Sequence, residues 1–246
     1  MNRSFAVILL SILLLVSSCK RGSQPTSSPS GQTGVSDGVA PDPTQARSLL
    51  EKGKLLYRDD QDSEAAEAFK QAISLDPTLA EAHFRLGLTY EALNKSEEAN
   101  SEYKTAVEAY KKYFGNEDNL KDSEAHYILG QTYASLSQYS DAIREFRQAL
   151  KLRSDDSEIY YDLGVAHTKL AQYSEAVSAF SKSLEIDPEN YRAQDALDDA
   201  RDGMKRIQAG KKHQEDLLKK KEEEELKKAG EGAPGSSPTQ PKGIKG

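Results

Sequence analysis

Residues 157–190 read SEIYYDLGVAHTKLAQYSEAVSAFSKSLEIDPEN, and the same pattern of residues occurs four times along the chain. Each copy can be aligned on one glycine. The aligned residues are Gly53, Gly87, Gly130 and Gly164, so successive copies lie 34, 43 and 34 residues apart. A repeat of this length predicts a stack of supersecondary units, each too small to bury its own apolar face.

Small and aromatic residues follow each glycine at fixed distances. A small residue comes twelve positions later, at Ala65, Ala99, Ala142 and Ala176. An aromatic residue comes four positions after that, at Phe69, Tyr103, Phe146 and Phe180, and a further small residue stands at Ala72, Ala106, Ala149 and Ser183. Small residues let two helices approach closely, and Pro77 and Pro188 indicate where a helix ends.

This pattern resembles the tetratricopeptide repeat over residues 46–190, with units at 46–79, 80–113, 123–156 and 157–190. The resemblance implies an all-α fold, a right-handed superhelical solenoid of four helix-turn-helix hairpins. An unrelated helical bundle is the alternative. Apolar residues at helical spacing in 191–208 predict a capping helix, which would cover the open face of the last hairpin.

The segments between and after the repeats carry weaker signals. Residues 114–122 interrupt the 34-residue spacing. The second helix of the unit at 80–113 is expected to run on past its usual end until Gly115 and Asn116. Such an insertion is either a binding loop or a surface loop without a role. Residues 209–229 are nearly all charged and predict a polar helix or spacer, with a partner site as the alternative. Residues 230–246 predict a disordered tail.

The N-terminal residues predict an export signal. In residues 1–18, Arg3 precedes an apolar run too short to span a membrane. The sequence VSSC ending at Cys19 resembles a bacterial lipoprotein box, which implies acylation of Cys19 and a lipid anchor. An ordinary secretory signal before an incidental cysteine is the alternative. Residues 19–45 then form a flexible linker.

The residue after Cys19 indicates to which membrane a lipoprotein is sorted. Lys20 resembles the outer-membrane sorting class, so the resemblance favours the outer over the inner membrane. We therefore expect a lipid-anchored protein of the cell envelope, either facing the periplasm or exposed at the surface.

A binding groove is implied by the resemblance, because the second, fifth and ninth positions of tetratricopeptide repeats face inward. The fifth positions are Leu50, Phe84, Tyr127 and Tyr161, and the second positions are Arg47, Glu81, Glu124 and Glu158. The ninth positions are Lys54, Leu88, Gln131 and Val165. Aromatic anchors beside carboxylates suit a partner peptide with apolar and some basic side chains. The aromatic residues could instead be core.

The sequence indicates a binding function for this groove and contains no motif of a catalytic site. His83 and His126 lack the spacing of a metal site, and no phosphate loop or nucleophile motif is present, so we expect no enzyme activity, metal or cofactor. The net charge of −7 disfavours nucleic acid, and no small-molecule substrate is expected. The predicted function is a scaffold or adaptor for envelope proteins. The alternative is a pilotin-like assembly factor for a secretin, pilus or secretion apparatus.

Overall fold

The computed structural model describes residues 42–231, with side chains to residue 228, and this range contains nine α-helices, one 3-10 helix and no strand. The α-helices are α1 Pro43–Arg58, α2 Asp62–Leu75, α3 Ala80–Ala92, α4 Ser96–Tyr113, α5 Ser123–Ser135, α6 Tyr139–Leu152, α7 Ser157–Lys169, α8 Tyr173–Ile186 and α9 Tyr191–Glu231. The 3-10 helix covers Glu117–Lys121. The predicted signal peptide, Cys19 and most of both predicted disordered termini lie outside the described residues.

Consecutive helices pair into four hairpins, α1 with α2, α3 with α4, α5 with α6 and α7 with α8. One residue in each connecting turn has a positive φ of 54° to 59°, which is the left-handed conformation that reverses the chain. These residues hold the same position in each repeat and are Asp60, Asn94, Ser137 and Ala171. The repetition of the turn explains why the hairpins share one geometry.

Each aligned glycine lies against the aromatic ring sixteen residues later. A Cβ atom added to Gly130 would lie 2.5 Å from two atoms of the Phe146 ring, and one added to Gly53 would lie 2.5 Å from Phe69. Carbon atoms do not approach so closely without a shift, so only glycine allows the two helices of a hairpin to pack around the ring. The four-fold glycine and aromatic pattern is therefore the packing contact inside each hairpin.

The hairpins stack through two kinds of contact. The second helix of one hairpin packs on the first helix of the next, and the first helices α1, α3, α5 and α7 also contact their neighbours in sequence. We call the surface that these first helices share the first-helix face. Leu197 and Ala200 of α9 are buried against Phe180 and Ala176, so α9 covers the last hairpin. The expected all-helical stack of four hairpins with a capping helix is confirmed.

Two helices, α1 and α9, depart from the expected bounds, whereas α4 is extended as expected. Helix α1 begins at Pro43, before the expected residue 46, because the Asp42 carboxylate caps it and proline suits the first helical position. Helix α4 runs to Tyr113, one turn beyond the ends of its counterparts. Helix α9 continues without interruption from the capping segment through the charged segment, whose side chains are exposed between residues 209 and 228. None of the described helices is both long and apolar enough to cross a bilayer.

Candidate functional site

The first-helix face contains a cavity of about 280 Å³ at its centre, between α3, α5 and α7. Leu88 and Val165, two of the predicted ninth-position residues, line it together with the rings of Phe84, Tyr139 and Phe146. Leu88 and Val165 are only half-buried, so their apolar surface is available to a partner. The cavity thus places apolar contact area on the face where the repeat register predicted it.

A polar network borders this cavity. Tyr127 donates a hydrogen bond from its hydroxyl to Oδ2 of Asp162 at 3.0 Å. Gln131 donates from Nε2 to the same Asp162 oxygen at 3.0 Å and to the Tyr127 hydroxyl at 2.9 Å. Burial raises the pKa of Asp162 above its ordinary value, although the bonds from Gln131 and Tyr127 favour the carboxylate. The network fixes these three side chains beside the apolar surface.

The fifth-position residues do not form one exposed ladder. Leu50 is 4% exposed and Phe84 is 2% exposed, so both belong to the core, and the expectation that they are exposed anchors is wrong. Their side chains are fully apolar and gain most by complete burial between neighbouring hairpins. Tyr127 and Tyr161 are half-buried, and the Tyr127 hydroxyl has a polar partner in Asp162.

The second-position carboxylates lie on the first-helix face but are paired with cations. Glu81 lies 3.2 Å from Lys54 and from Arg85, and Glu124 lies 3.2 Å from Arg153. Glu158 lies 2.6 Å from Arg192, whose guanidinium is 4.6 Å from the centre of the Tyr161 ring. These pairs reduce the free negative charge that the sequence indicated. Arg85 lies on the same helix as Glu81, and Arg153 follows the second helix of the hairpin that contains Glu124. Lys54 and Arg192 come from neighbouring units, and a single repeat does not reveal those two contacts.

The two equivalent histidines tie the helices of their hairpins together. Nδ1 of His83 lies 2.7 Å from Oε2 of Glu102, and Nδ1 of His126 lies 2.8 Å from Oε2 of Glu145. Their Nε2 atoms face the backbone carbonyls of Pro77 and Leu120 at 3.2 and 3.3 Å. Both roles are structural. Across the described part of the chain, no three His, Cys, Asp or Glu side chains gather as a metal-binding group.

The site includes residues that the repeat register did not predict. Arg85, Ala134 and Asp162 line the cavity but occupy neither the second, fifth nor ninth position. Asp162 is the residue after the fifth position, and its burial depends on Tyr127 and Gln131 of the preceding hairpin. No sequence signal within one repeat indicates that contact.

Models of a known repeat family match the chain in four segments. A TPR repeat model matches residues 53–94 and 130–171, and tetratricopeptide repeat models match residues 80–113 and 157–190. Tetratricopeptide repeats are therefore present, and they support a protein–protein interaction scaffold. Folds of this kind typically lack catalytic activity. No curated protein sequence matches the chain.

Solved structures of a protein called MamA are similar in fold. One of them, a structure of MamA AMB-1, has a TM-score of 0.50 and 19% sequence identity, and the match covers 74% of this chain and 98% of that one. A crystal structure of MamA protein has a TM-score of 0.48 and 22% identity, with coverage of 74% and 94%. At these identities the likeness concerns the fold alone.

Proposed function

We propose that this tetratricopeptide repeat chain is a lipid-anchored scaffold of the bacterial cell envelope that holds a partner protein on its first-helix face. The cavity lined by Leu88 and Val165 is the observation that carries the proposal. A half-buried apolar surface beside a fixed polar network offers both contact area and orientation to a bound segment. A partner side chain that enters the cavity would remove the apolar surface of Leu88 and Val165 from water.

Photo-cross-linking in cells tests the binding face. A photoreactive amino acid at Val165 should give a discrete cross-linked product, because this side chain lines the cavity. The same amino acid at Ser178 or Thr105, which are exposed on α8 and α4, is the matched control. Leu88→Asp should abolish the product formed from Val165, since a carboxylate would be buried by the partner. Equal products from Ser178 would contradict the proposal.

The identity of the cross-linked protein separates two classes of scaffold. A folded envelope enzyme or its complex supports an adaptor, whereas a subunit of a secretin, pilus or secretion apparatus supports a pilotin-like assembly factor. Recovery of a cytoplasmic protein alone would contradict both classes.

The lipid anchor rests on the sequence around Cys19, which the structure does not describe. We expect Cys19→Ser to abolish incorporation of labelled palmitate and to move the protein out of the membrane fraction, because acyl chains supply the membrane affinity. Ser28→Ala, within the predicted linker, is the control and should keep both properties. A Cys19→Ser protein that stays in the membrane fraction would contradict lipid anchoring.

A further inference from the structure

A second cavity lies on the first-helix face, at the irregular seam between the second and third hairpins. Its volume is about 630 Å³, and its walls come from α1, α3, the end of α4 and the start of α5. The extra turn of α4 contributes Tyr110 and Tyr113, and the end of the 114–122 segment contributes Asp122. The 114–122 insertion, for which the sequence indicated either a binding loop or a loop without a role, therefore forms part of a cavity wall.

The cavity combines an apolar floor with acidic walls. The floor residues are Leu50, Leu79, Ala80, Ala125 and Ile128. The acidic residues are Glu51, Asp76, Glu81, Asp122 and Glu124, and Arg47 is the only cation in the lining. Lysine and arginine have apolar stems and charged ends, so this arrangement matches both parts of such a side chain.

Two of the acidic residues have no cationic partner among the described residues. Asp76 accepts hydrogen bonds only from the backbone and hydroxyl of Thr78. Asp122 accepts from the Tyr113 hydroxyl at 2.8 Å and from the Ala125 backbone. The other three are compensated, since Lys54 contacts Glu51 and Glu81, and Arg153 contacts Glu124. The uncompensated charge of the cavity is thus concentrated at Asp76 and Asp122.

Tyr110 adds a polar group to the lining of this cavity. The residue as a whole is 4% exposed, and its hydroxyl oxygen is not among the buried atoms without a partner, so this oxygen is accessible from the cavity. Burial raises the pKa of Tyr110, and the carboxylates of Glu81, Asp122 and Glu124 act in the same direction, so the hydroxyl keeps its proton. A hydroxyl oxygen that faces the cavity can accept a hydrogen bond from an N–H donor of a ligand.

We propose that this seam cavity receives a lysine or arginine side chain of the partner protein, with Asp76 and Asp122 neutralising its charge and Tyr110 accepting a hydrogen bond from it. The inference rests on the proposed function, because it names part of the segment held on the first-helix face. Its basis is the charge complementarity and shape of one cavity, and the central cavity of Leu88 and Val165 plays no part in it.

The probe is Nα-acetyl-L-arginine methylamide, added to the full chain in detergent with methyl-labelled Ile128 observed by NMR. We expect a saturable shift of the Ile128 methyl signal. The citrulline analogue is the control, because it has the same shape without charge and should bind at least about fivefold more weakly. Equal binding of both compounds, or no saturable shift, would overturn the proposal.

Matched substitutions locate the binding to this cavity. Asp76→Asn and Tyr110→Phe should each weaken the arginine compound by about threefold or more, since each removes one polar contact. Asp187→Asn changes the counterpart of Asp76 in the fourth hairpin, and Tyr103→Phe removes the hydroxyl of a tyrosine that does not line this cavity. Both controls should bind like the unsubstituted protein. Equal weakening by Asp187→Asn would assign the effect to overall charge and overturn the proposal.

The outcomes separate this inference from the proposed function. Arginine binding with no cross-linking from Val165 would retain the cavity and reject the scaffold. Cross-linking from Val165 with no arginine binding would support the scaffold and reject the seam cavity as a binding site. Sedimentation of the same samples identifies another occupant, because self-association that Asp76→Asn abolishes would show that a second copy fills the cavity and would overturn the proposal.

Discussion

The four repeat glycines are spacers whose size sets the distance between the helices of each hairpin. We predict that Gly130→Ala lowers the free energy of unfolding by about 1–3 kcal/mol, because the added methyl would overlap the Phe146 ring. Thermal unfolding followed by circular dichroism measures this change.

Gly210→Ala is the matched control for that substitution. Gly210 lies within α9, and a Cβ atom there would meet nothing within 4 Å. The change should leave stability unaltered or raise it by up to about 1 kcal/mol, because alanine favours the helix over glycine. Similar losses for both variants would contradict the packing role of Gly130.

Glu145 links folding to pH. Burial disfavours its charge, but hydrogen bonds from His126 and Arg144 outweigh burial and lower the pKa of Glu145 below its usual range. The folded state therefore binds this proton less tightly than the unfolded state does. The resulting stability is present above the unfolded pKa of about 4.3 and is lost as the pH falls through the lowered folded pKa.

We predict that Glu145→Gln is less stable than the unsubstituted protein at pH 7 and loses less stability between about pH 5 and pH 3. Urea unfolding at several pH values measures the difference. Glu108→Gln, at an exposed glutamate on α4, should follow the unsubstituted protein. If Glu145→Gln shows the same acid dependence as the unsubstituted protein, the linkage to Glu145 is wrong.

At the scale of elements, the insertion is held by aromatic stacking on the third hairpin. Phe114 stacks on the His126 ring with 4.2 Å between ring centres and an angle of 15°. We predict that Phe114→Ala lowers stability by about 1–3 kcal/mol and speeds proteolysis within residues 114–122, because half-buried aromatic contact is lost. Leu120→Ala changes a side chain that is 48% exposed in the same segment and should have little effect.

The helices and their contacts also show which parts of the structure can be predicted from the sequence. The hairpins were predictable because each glycine and its ring lie sixteen residues apart within one repeat, as in Gly87 and Tyr103. The depth of the fifth-position residues was not, since burial of Phe84 is completed by the neighbouring hairpin. The pairing of Asp162 with Tyr127 joins residues 35 apart, and it depends on side-chain orientation that no periodicity encodes.

At the scale of the molecule, the first part of α9 packs on the last hairpin and the remainder extends beyond it. Its 41 residues make a helix about 60 Å long at about 1.5 Å per residue, and only its first turns pack on the last hairpin. We predict that truncation after Gln208 leaves the melting temperature almost unchanged. Truncation after Asn190 should lower it and increase binding of an apolar dye, because Phe180 and Ala176 lose their cover.

A point substitution controls for the length of the deletion. Leu197→Asp places a carboxylate where a 4% exposed leucine packs, and it should reproduce much of the loss caused by truncation after Asn190. Unchanged melting of Leu197→Asp would show that α9 does not cap the stack. The role of residues 191–208 would then be open as well.

A series of like hairpins raises the problem of alignment for anything that binds along it. An extended chain could slide by one repeat and meet nearly the same surface again, so equal repeats alone define no unique position. The seam beside Phe114 breaks that equivalence, because hairpins two and three are spaced by 43 rather than 34 residues. A partner with one basic residue at the matching position would bind there in a single register. The contacts of that partner with the regular hairpins on either side would then be fixed by this one position.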